Sequence, residues 1–92
     1  MKKTVVHYWI EFKIAEGKSK AEAMRELNKA LSTRYIQSRL YDWLNGPRSP
    51  ERATRIYMLT ECLPHILAEN GFSEFAGKLT KKQCRALAEA LA

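Results

Sequence analysis

The stretch RLYDWLNGPRSPER, residues 39–52, contains an Asn-Gly pair, two prolines and three arginines. Asn-Gly and Pro interrupt regular helices, so one helix is expected to end here and another to begin. Asn45-Gly46 predicts the end, because both residues tolerate the left-handed conformation of a helix terminus. Ser49 is the predicted cap of the next helix, with Pro50 at its first position. A simple turn between helices does not require three arginines, so this charge needs a separate explanation.

Two helices are predicted before this turn. Ser19 begins a Ser-x-x-Glu capping box, and the apolar spacing that follows predicts a helix over about 20–31. After a short break the next helix covers about 33–44, with Ser32 or Thr33 as its cap. Its predicted buried side consists of four residues: Ile36, Leu40, Trp43 and Leu44.

Three further segments lead to an all-α prediction, a compact bundle of about five helices. Thr4 caps a first helix over about 5–16, although its β-branched and aromatic residues would equally suit a strand. A fourth helix follows the turn, with Pro64 expected to kink or split it before Asn70-Gly71. After a connector, Thr80 starts the last helix with a second capping box.

Composition describes one small basic domain. The chain has 92 residues, of which 46% are hydrophobic, and a net charge of +6. One domain is predicted over 1–92, with its core in about 4–70 and a connector and C-terminal helix in 71–92. The charge favours a polyanionic partner: DNA, RNA or an anionic membrane surface. Because neither a membrane span nor an export signal is apparent and two cysteines suit reducing conditions, a cytoplasmic location is predicted.

Helices two and three follow each other in the order of a helix-turn-helix motif. When the apolar side of helix three faces inward, its outward side presents Arg, Gln, Ser and Tyr, which suit base edges and phosphates. A solvated face that binds nothing would show the same residue types, and this alternative stays open. The predicted base-contacting residues are Thr33, Arg34, Gln37, Ser38 and Tyr41.

The end of helix three resembles the Cro-like and lambda-repressor-like helix-turn-helix family, of the xenobiotic-response-element type. In that family the recognition helix commonly ends in Trp-Glu-Asn-Gly, followed by basic residues and a proline. The matching positions here are held by Trp43, Asn45, Gly46, Arg48 and Pro50. Two positions differ, since Leu44 replaces the Glu and Pro47 replaces a basic residue. The resemblance covers about residues 19–68, with a turn about two residues longer than the standard form, and implies a divergent small phage or plasmid repressor.

This resemblance also explains the charge of the turn. In such proteins the loop after the recognition helix, and the start of the next helix, lie along the sugar-phosphate backbone of DNA. Free N–H groups at helix N-termini can bind phosphates there as well. The predicted phosphate-contacting residues are Lys18, Ser19, Lys20, Arg48, Arg52 and Arg55.

The leading hypothesis is a sequence-specific transcriptional regulator, a homodimeric repressor that binds a palindromic operator in double-stranded DNA. An apolar stripe on the last helix is predicted to form the dimer interface, the alternative being that this helix folds back on helices one and four. The stripe consists of Cys84, Leu87, Ala88 and Leu91. A second hypothesis is an antitoxin or adaptor that uses the same fold to bind a protein, and RNA binding is a third.

Catalytic and metal sites are not predicted. Cys62 and His65 are three residues apart on a helix, but two ligands do not make a structural zinc site. His7 has no nucleophile marked by its context, and no pair of carboxylates stands in a recognisable pocket. The sequence therefore predicts a protein that is not an enzyme and has no cofactor, no small-molecule ligand and no membrane partner.

Overall fold

The computed structural model describes residues 3–92, which form six helices and no strand. The all-α prediction is confirmed, and the additional short helix lies in the predicted connector. None of the helices within 3–92 has both the length and the apolar character needed to cross a bilayer. Their bounds are α1 (Val5–Ala15), α2 (Lys20–Leu31), α3 (Gln37–Asn45), α4 (Arg52–Glu69), α5 (Ser73–Ala76) and α6 (Lys81–Leu91).

Helix α4 is the centre of the bundle. Helices α1, α5 and α6 pack along it, and α2 also touches it. Helices α2 and α3 contact each other and α1, whereas α6 contacts α4 alone among the helices of residues 3–92. The whole assembly measures 36 × 28 × 26 Å.

The core lies where α1, α2 and α4 meet. Trp9, Leu27 and Met58 are fully buried and come from these three helices. Helix α3 adds Leu40 and Trp43, which are 2% and 5% exposed, as predicted for its inner side. Removal of these apolar side chains from water is the main contribution that holds the helices together.

A buried lysine joins the same three helices. Lys13 of α1 is 2% exposed, and its Nζ lies 2.9 Å from Glu26 Oε1 of α2 and 3.1 Å from Glu61 Oε2 of α4. The other oxygen of Glu61 accepts a hydrogen bond from Trp9 Nε1 at 2.9 Å. Burial alone would lower the pKa of Lys13, but the hydrogen bonds to the two carboxylates outweigh it, and the pKa is raised. Lys13 is therefore held in its charged form.

The predicted capping boxes are confirmed. Ser19 Oγ accepts from the N–H of Glu22 at 3.1 Å, and Thr80 Oγ1 accepts from the N–H of Gln83 at 3.1 Å. In both boxes the side chain three residues along accepts from the backbone of the cap residue. Thr4 is the cap residue of α1, also as predicted.

The predicted start of α3 is wrong. The helix begins at Gln37 with Ile36 as its cap residue, so neither Ser32 nor Thr33 caps it. Ser32 instead ends α2 in the left-handed conformation, with φ 55° and ψ 38°, and the next N–H bonds to the Asn28 carbonyl at 3.0 Å. Ile36, predicted to be buried, is 68% exposed because it precedes the helix and does not lie on its inner face.

The predicted start of α4 is wrong as well. Glu51 is the cap residue and Arg52 the first helical residue, so Ser49 and Pro50 both lie outside the helix. Pro50 is buried, and its carbonyl accepts a 2.6 Å hydrogen bond from Arg55 Nη1. This side-chain contact satisfies the Pro50 carbonyl, which would have accepted an intrahelical hydrogen bond if the helix had begun at Pro50.

Gly46 follows the last residue of α3, as predicted, but for a different reason. Its φ of −109° and ψ of −179° describe extended backbone, not the left-handed conformation. A Cβ at this position would lie 2.8 Å from the carbonyl oxygen of Asp42, to which Gly46 donates its own N–H at 2.7 Å. The close approach of these two backbone segments requires glycine. Further on, α4 continues through Pro64 to Glu69, so the proline does not split it.

The four residues of the predicted dimer stripe on α6 have different environments. Cys84 and Ala88 are 4% and 0% exposed within the chain itself, so these two residues belong to its core and cannot form an outward surface. Leu87 and Leu91 are 42% and 68% exposed. The alternative prediction was that this helix folds back on helices one and four. In the structure α6 packs on α4 but does not contact α1.

Candidate nucleic-acid interface

The side chain of Asn28 shapes the connection between α2 and α3, residues 32–36. Its Nδ2 donates to the Tyr35 carbonyl at 2.8 Å, and its Oδ1 accepts from the Tyr35 N–H at 2.9 Å. The same oxygen accepts from Thr33 Oγ1 at 2.8 Å. One amide side chain thus satisfies three polar groups of a five-residue connection. The sequence does not reveal this role, because its only signal is an asparagine in the last turn of an amphipathic helix.

Tyr35 anchors the connection to the rest of the fold. Its ring meets that of Trp43 edge-on, with 4.9 Å between centroids and an interplanar angle of 74°. Its hydroxyl lies 3.4 Å from Oγ1 of Thr54, a buried residue of α4. The position of α3 relative to α2 and α4 is therefore set by contacts that surround this tyrosine.

The predicted base-contacting residues have different environments. Gln37, Ser38 and Tyr41 are exposed on the first turns of α3. Arg34 is exposed too, but it lies in the connection ahead of the helix. Thr33 is half-buried and its hydroxyl donates to Asn28, so it supports the connection and does not present its side chain outward.

A groove brings several of the predicted residues together. It runs between the N-terminus of α2 and the outer side of α3, and Lys20, Gln37, Tyr41 and Asn45 line it together with Leu40 and Leu44. Tyr41 is 68% exposed, and its carbonyl accepts from Asn45 Nδ2 at 3.2 Å. Two predicted base-contacting residues, Gln37 and Tyr41, and one predicted phosphate-contacting residue, Lys20, therefore share a single surface.

The predicted phosphate-contacting residues fall into two sets. The side chains of Lys20 and Arg48 are exposed and make no hydrogen bond or ion pair with another described residue. The other four have partners within the chain. Lys18 Nζ lies 2.7 Å from Glu26 Oε2, and the Ser19 hydroxyl caps α2.

The remaining two arginines hold backbone carbonyls. Arg52 Nη2 donates to the Glu89 carbonyl of α6 at 2.9 Å, and Arg55 donates to the Pro50 carbonyl. Arg52 lines a different groove, beside Ala30 and Leu31 at the C-terminal end of α2. Lys20 is at the opposite end of α2, about 16 Å away along the helix axis. Lys20 and Arg52 thus lie near opposite ends of α2 and do not form one cluster.

Positive charge is concentrated in one part of the chain. Residues 18–55 contain nine lysines and arginines and four acidic residues, so they carry five of the six net positive charges. The remaining 54 residues are close to neutral. The charged segment covers α2, α3 and the start of α4. It therefore includes the exposed polar side of α3.

The chain matches no protein-family model, no curated protein and no solved structure. The resemblance to the Cro-like family therefore depends on the Trp-x-Asn-Gly-x-Arg-x-Pro residues alone. Of these, Trp43 and Pro50 are buried, Asn45 is the last residue of α3, and Arg48 is exposed in the connection to α4.

Proposed function

We propose that the protein binds double-stranded DNA through α3 and acts as a sequence-specific transcriptional regulator. The observation that carries the proposal is the charge distribution. Five of six net positive charges belong to residues 18–55, and this segment also presents the groove lined by Lys20, Gln37 and Tyr41. Basic charge clustered beside an exposed polar helix is the electrostatic signature of a nucleic-acid-binding surface.

In the proposed complex α3 lies in the major groove, which is wide enough for one helix. Gln37 is suited to bind the N6 and N7 atoms of adenine, and Tyr41 to pack on a thymine methyl or bond a phosphate. Lys20 and Arg48 contact phosphates on the two sides of α3. Arg34 precedes α3, where it can contact either a base or a phosphate.

We propose further that the protein acts as a repressor in the cytoplasm and binds a palindromic operator as a homodimer. One short recognition helix contacts only a few base pairs, and two-fold pairing of subunits is the usual way to double the site. Leu87 and Leu91 are exposed and one turn apart on α6, so they are the apolar residues of that helix able to meet a second copy. Leu91→Glu should then yield a monomer in sedimentation, and a persistent dimer would move the interface elsewhere.

Selection of bound fragments from random duplex DNA tests the DNA-binding proposal. We expect enrichment of one two-fold symmetric sequence, and weaker binding as salt rises, because phosphate contacts release counterions. Gln37→Ala should cost about 1–3 kcal/mol on the selected site and relax preference at one position. Failure to enrich any sequence, together with binding that is insensitive to salt, would contradict the proposal.

A second candidate function is a protein-interaction module of the antitoxin or adaptor type. Four exposed large apolar residues of the C-terminal part favour it: Phe72, Phe75, Leu87 and Leu91. Apolar surface of this kind often marks a protein contact. The same DNA selection separates the two functions, since an adaptor would bind duplex DNA weakly and without sequence preference.

A further inference from the structure

Three ionisable side chains converge between α1 and α4, away from the groove beside α3. Glu11 comes from α1, while His65 and Glu69 are one turn apart on α4. One potential ligand atom from each of the three lies within 4.8 Å of the other two. Glu11 and Glu69 have no role in the predicted interface or in the apolar core. His65 has none either, apart from its sequence spacing to Cys62.

The distances in this cluster match those of a metal site. His65 Nε2 lies 3.3 Å from Glu69 Oε1 and 3.6 Å from Glu11 Oε1. In a tetrahedral zinc site with bonds of about 2.0–2.2 Å, neighbouring ligand atoms lie about 3.3–3.6 Å apart. The two distances from His65 Nε2 therefore match the spacing of ligands around a common ion, and the ligand atoms of the two glutamates lie within 4.8 Å of each other.

Two of these atoms are also buried without a hydrogen-bond partner. Glu11 Oε1 and His65 Nε2 are inaccessible to water, yet neither makes a hydrogen bond within the part of the chain that the structure describes. Buried polar atoms are normally paired, and each exception calls for an explanation such as an ion. Here the two unpaired atoms face each other.

Lys3 holds the outer oxygens of the two carboxylates. Its Nζ lies 2.8 Å from Glu11 Oε2 and 3.3 Å from Glu69 Oε2, and this leaves the Oε1 atom of each glutamate directed to His65. Hydrogen bonds from a second layer of residues commonly orient metal ligands in this way.

We propose that Glu11, His65 and Glu69 bind a divalent transition-metal ion, in the first place zinc. An imidazole nitrogen with two carboxylates suits zinc and its neighbours, whereas calcium and magnesium prefer oxygen ligands alone. Three protein ligands leave a fourth position for water. The bound ion would link α1 to α4. Arg52, the first residue of α4, precedes His65 by about 20 Å along the helix, so the site lies away from the α3 end of α4.

The alternative to a bound ion is a direct contact of His65 Nε2 with the two carboxylates, and a metal titration distinguishes the two. Calorimetric titration with zinc chloride at neutral pH, under reducing conditions, compares the parent protein with His65→Gln and His7→Gln. His7→Gln is the matched control, because Gln at this position preserves the acceptor that caps α1. The thiols do not compete, since both are buried, and burial together with the charge of Glu61 raises the pKa of Cys62 to about 12.

We expect one zinc ion per chain in the parent protein and in His7→Gln, and at least about tenfold weaker binding in His65→Gln. Zinc should raise the unfolding temperature of the parent, and a chelator should reverse this, while magnesium should do neither. Glu69→Gln alters an exposed residue and tests the site without risk to the core. Absence of zinc binding at about 0.1 mM, or equal affinity in His65→Gln, would overturn the proposal and leave an ion pair to a protonated histidine.

Discussion

At the scale of single residues, backbone geometry determines which residue suits each of two positions that directly follow a helix. Ser32 adopts φ 55°, a conformation that costs a residue with a Cβ about 1–2 kcal/mol. Gly46 is extended, and its lack of a Cβ serves the close contact with Asp42. Glycine would be the better residue at position 32, and it is indispensable at position 46 for steric reasons.

Ser32→Gly should stabilise the protein. Relief of the left-handed strain exceeds the entropy cost of glycine, so the free energy of unfolding should rise by about 0.5–1 kcal/mol. Ser38→Gly is the matched control, because the same change at an exposed position in the first turn of α3 relieves no strain and should lower it by about 0.5 kcal/mol. Urea unfolding followed by circular dichroism measures both. Equal effects would mean that position 32 is not strained.

Acid should weaken the ion network around Lys13. Hydrogen bonds from Lys13 and then Lys18 lower the pKa of Glu26 from an ordinary 4.5 to about 2. Because the folded-state pKa is lowered, the stabilisation is complete above about pH 4.5 and is lost as the pH falls toward 2. Glu26→Gln should therefore reduce the loss of stability between pH 5 and pH 2.

The measurement is the urea midpoint at several pH values, with Glu74→Gln as control. Glu74 is an exposed glutamate of α5, so its replacement should leave the pH profile close to that of the parent. If Glu26→Gln and Glu74→Gln gave the same profile, the lysine would not be holding Glu26 in its ionised form.

At the scale of elements, α6 shows how one amphipathic helix can be divided between the core and the surface. Cys84 and Ala88 pack on α4, while Leu87 and Leu91 remain exposed. Arg52 also holds the C-terminal turn of α6 through the Glu89 carbonyl. The helix is therefore part of the folded domain, and its removal should destabilise α4.

Two leucine substitutions test the packing of α6. Ala88→Leu places a larger side chain where Ala88 is fully buried and should destabilise by about 1–3 kcal/mol. Ala90→Leu makes the same change at an exposed position of the same helix and should stay within about 0.5 kcal/mol. Unfolding curves in urea compare them, and similar curves would show that α6 does not pack on α4.

At the scale of the whole molecule, the basic segment 18–55 shares only Lys18 and Glu26, among the described residues, with the ion clusters that hold the fold. Lys3 and Lys13 contact carboxylates in or beside α1, whereas the excess positive charge lies on residues 18–55. Long-range attraction of a polyanion depends on such unbalanced charge, and it weakens as salt screens it. The proposed DNA contact should follow this distribution.

Lys20→Ala and Lys82→Ala form a matched pair for this question. Each removes one positive charge from the exposed first turn of a helix, α2 or α6. Lys20→Ala should weaken binding to specific and unspecific duplexes alike and lower the salt slope by about one unit, because one phosphate contact is lost. Lys82→Ala should change little. Equal losses in both variants would mean that only net charge matters.

Local signals in the sequence were sufficient for the existence of the five main helices and for some of their starts. The capping boxes at Ser19 and Thr80 join residues three positions apart, so they were predicted correctly and with them the starts of α2 and α6. The inner side of α3 was predicted for Leu40 and Trp43 from helical spacing. The start of α4 was not, because Pro50 follows a serine in the usual order of cap and first residue but is buried outside the helix.

The sequence by itself determined the helical class of this protein, its main helices and its basic segment, because these depend on spacing, capping and charge along the chain. Tertiary structure decided the rest. Asn28 holds the connection to α3, Ala88 faces inward, and Glu11 lies beside His65, 54 positions away. Such groupings depend on how α1, α2 and α6 pack against α4, and no periodicity within a helix specifies which distant residue its side chains will meet.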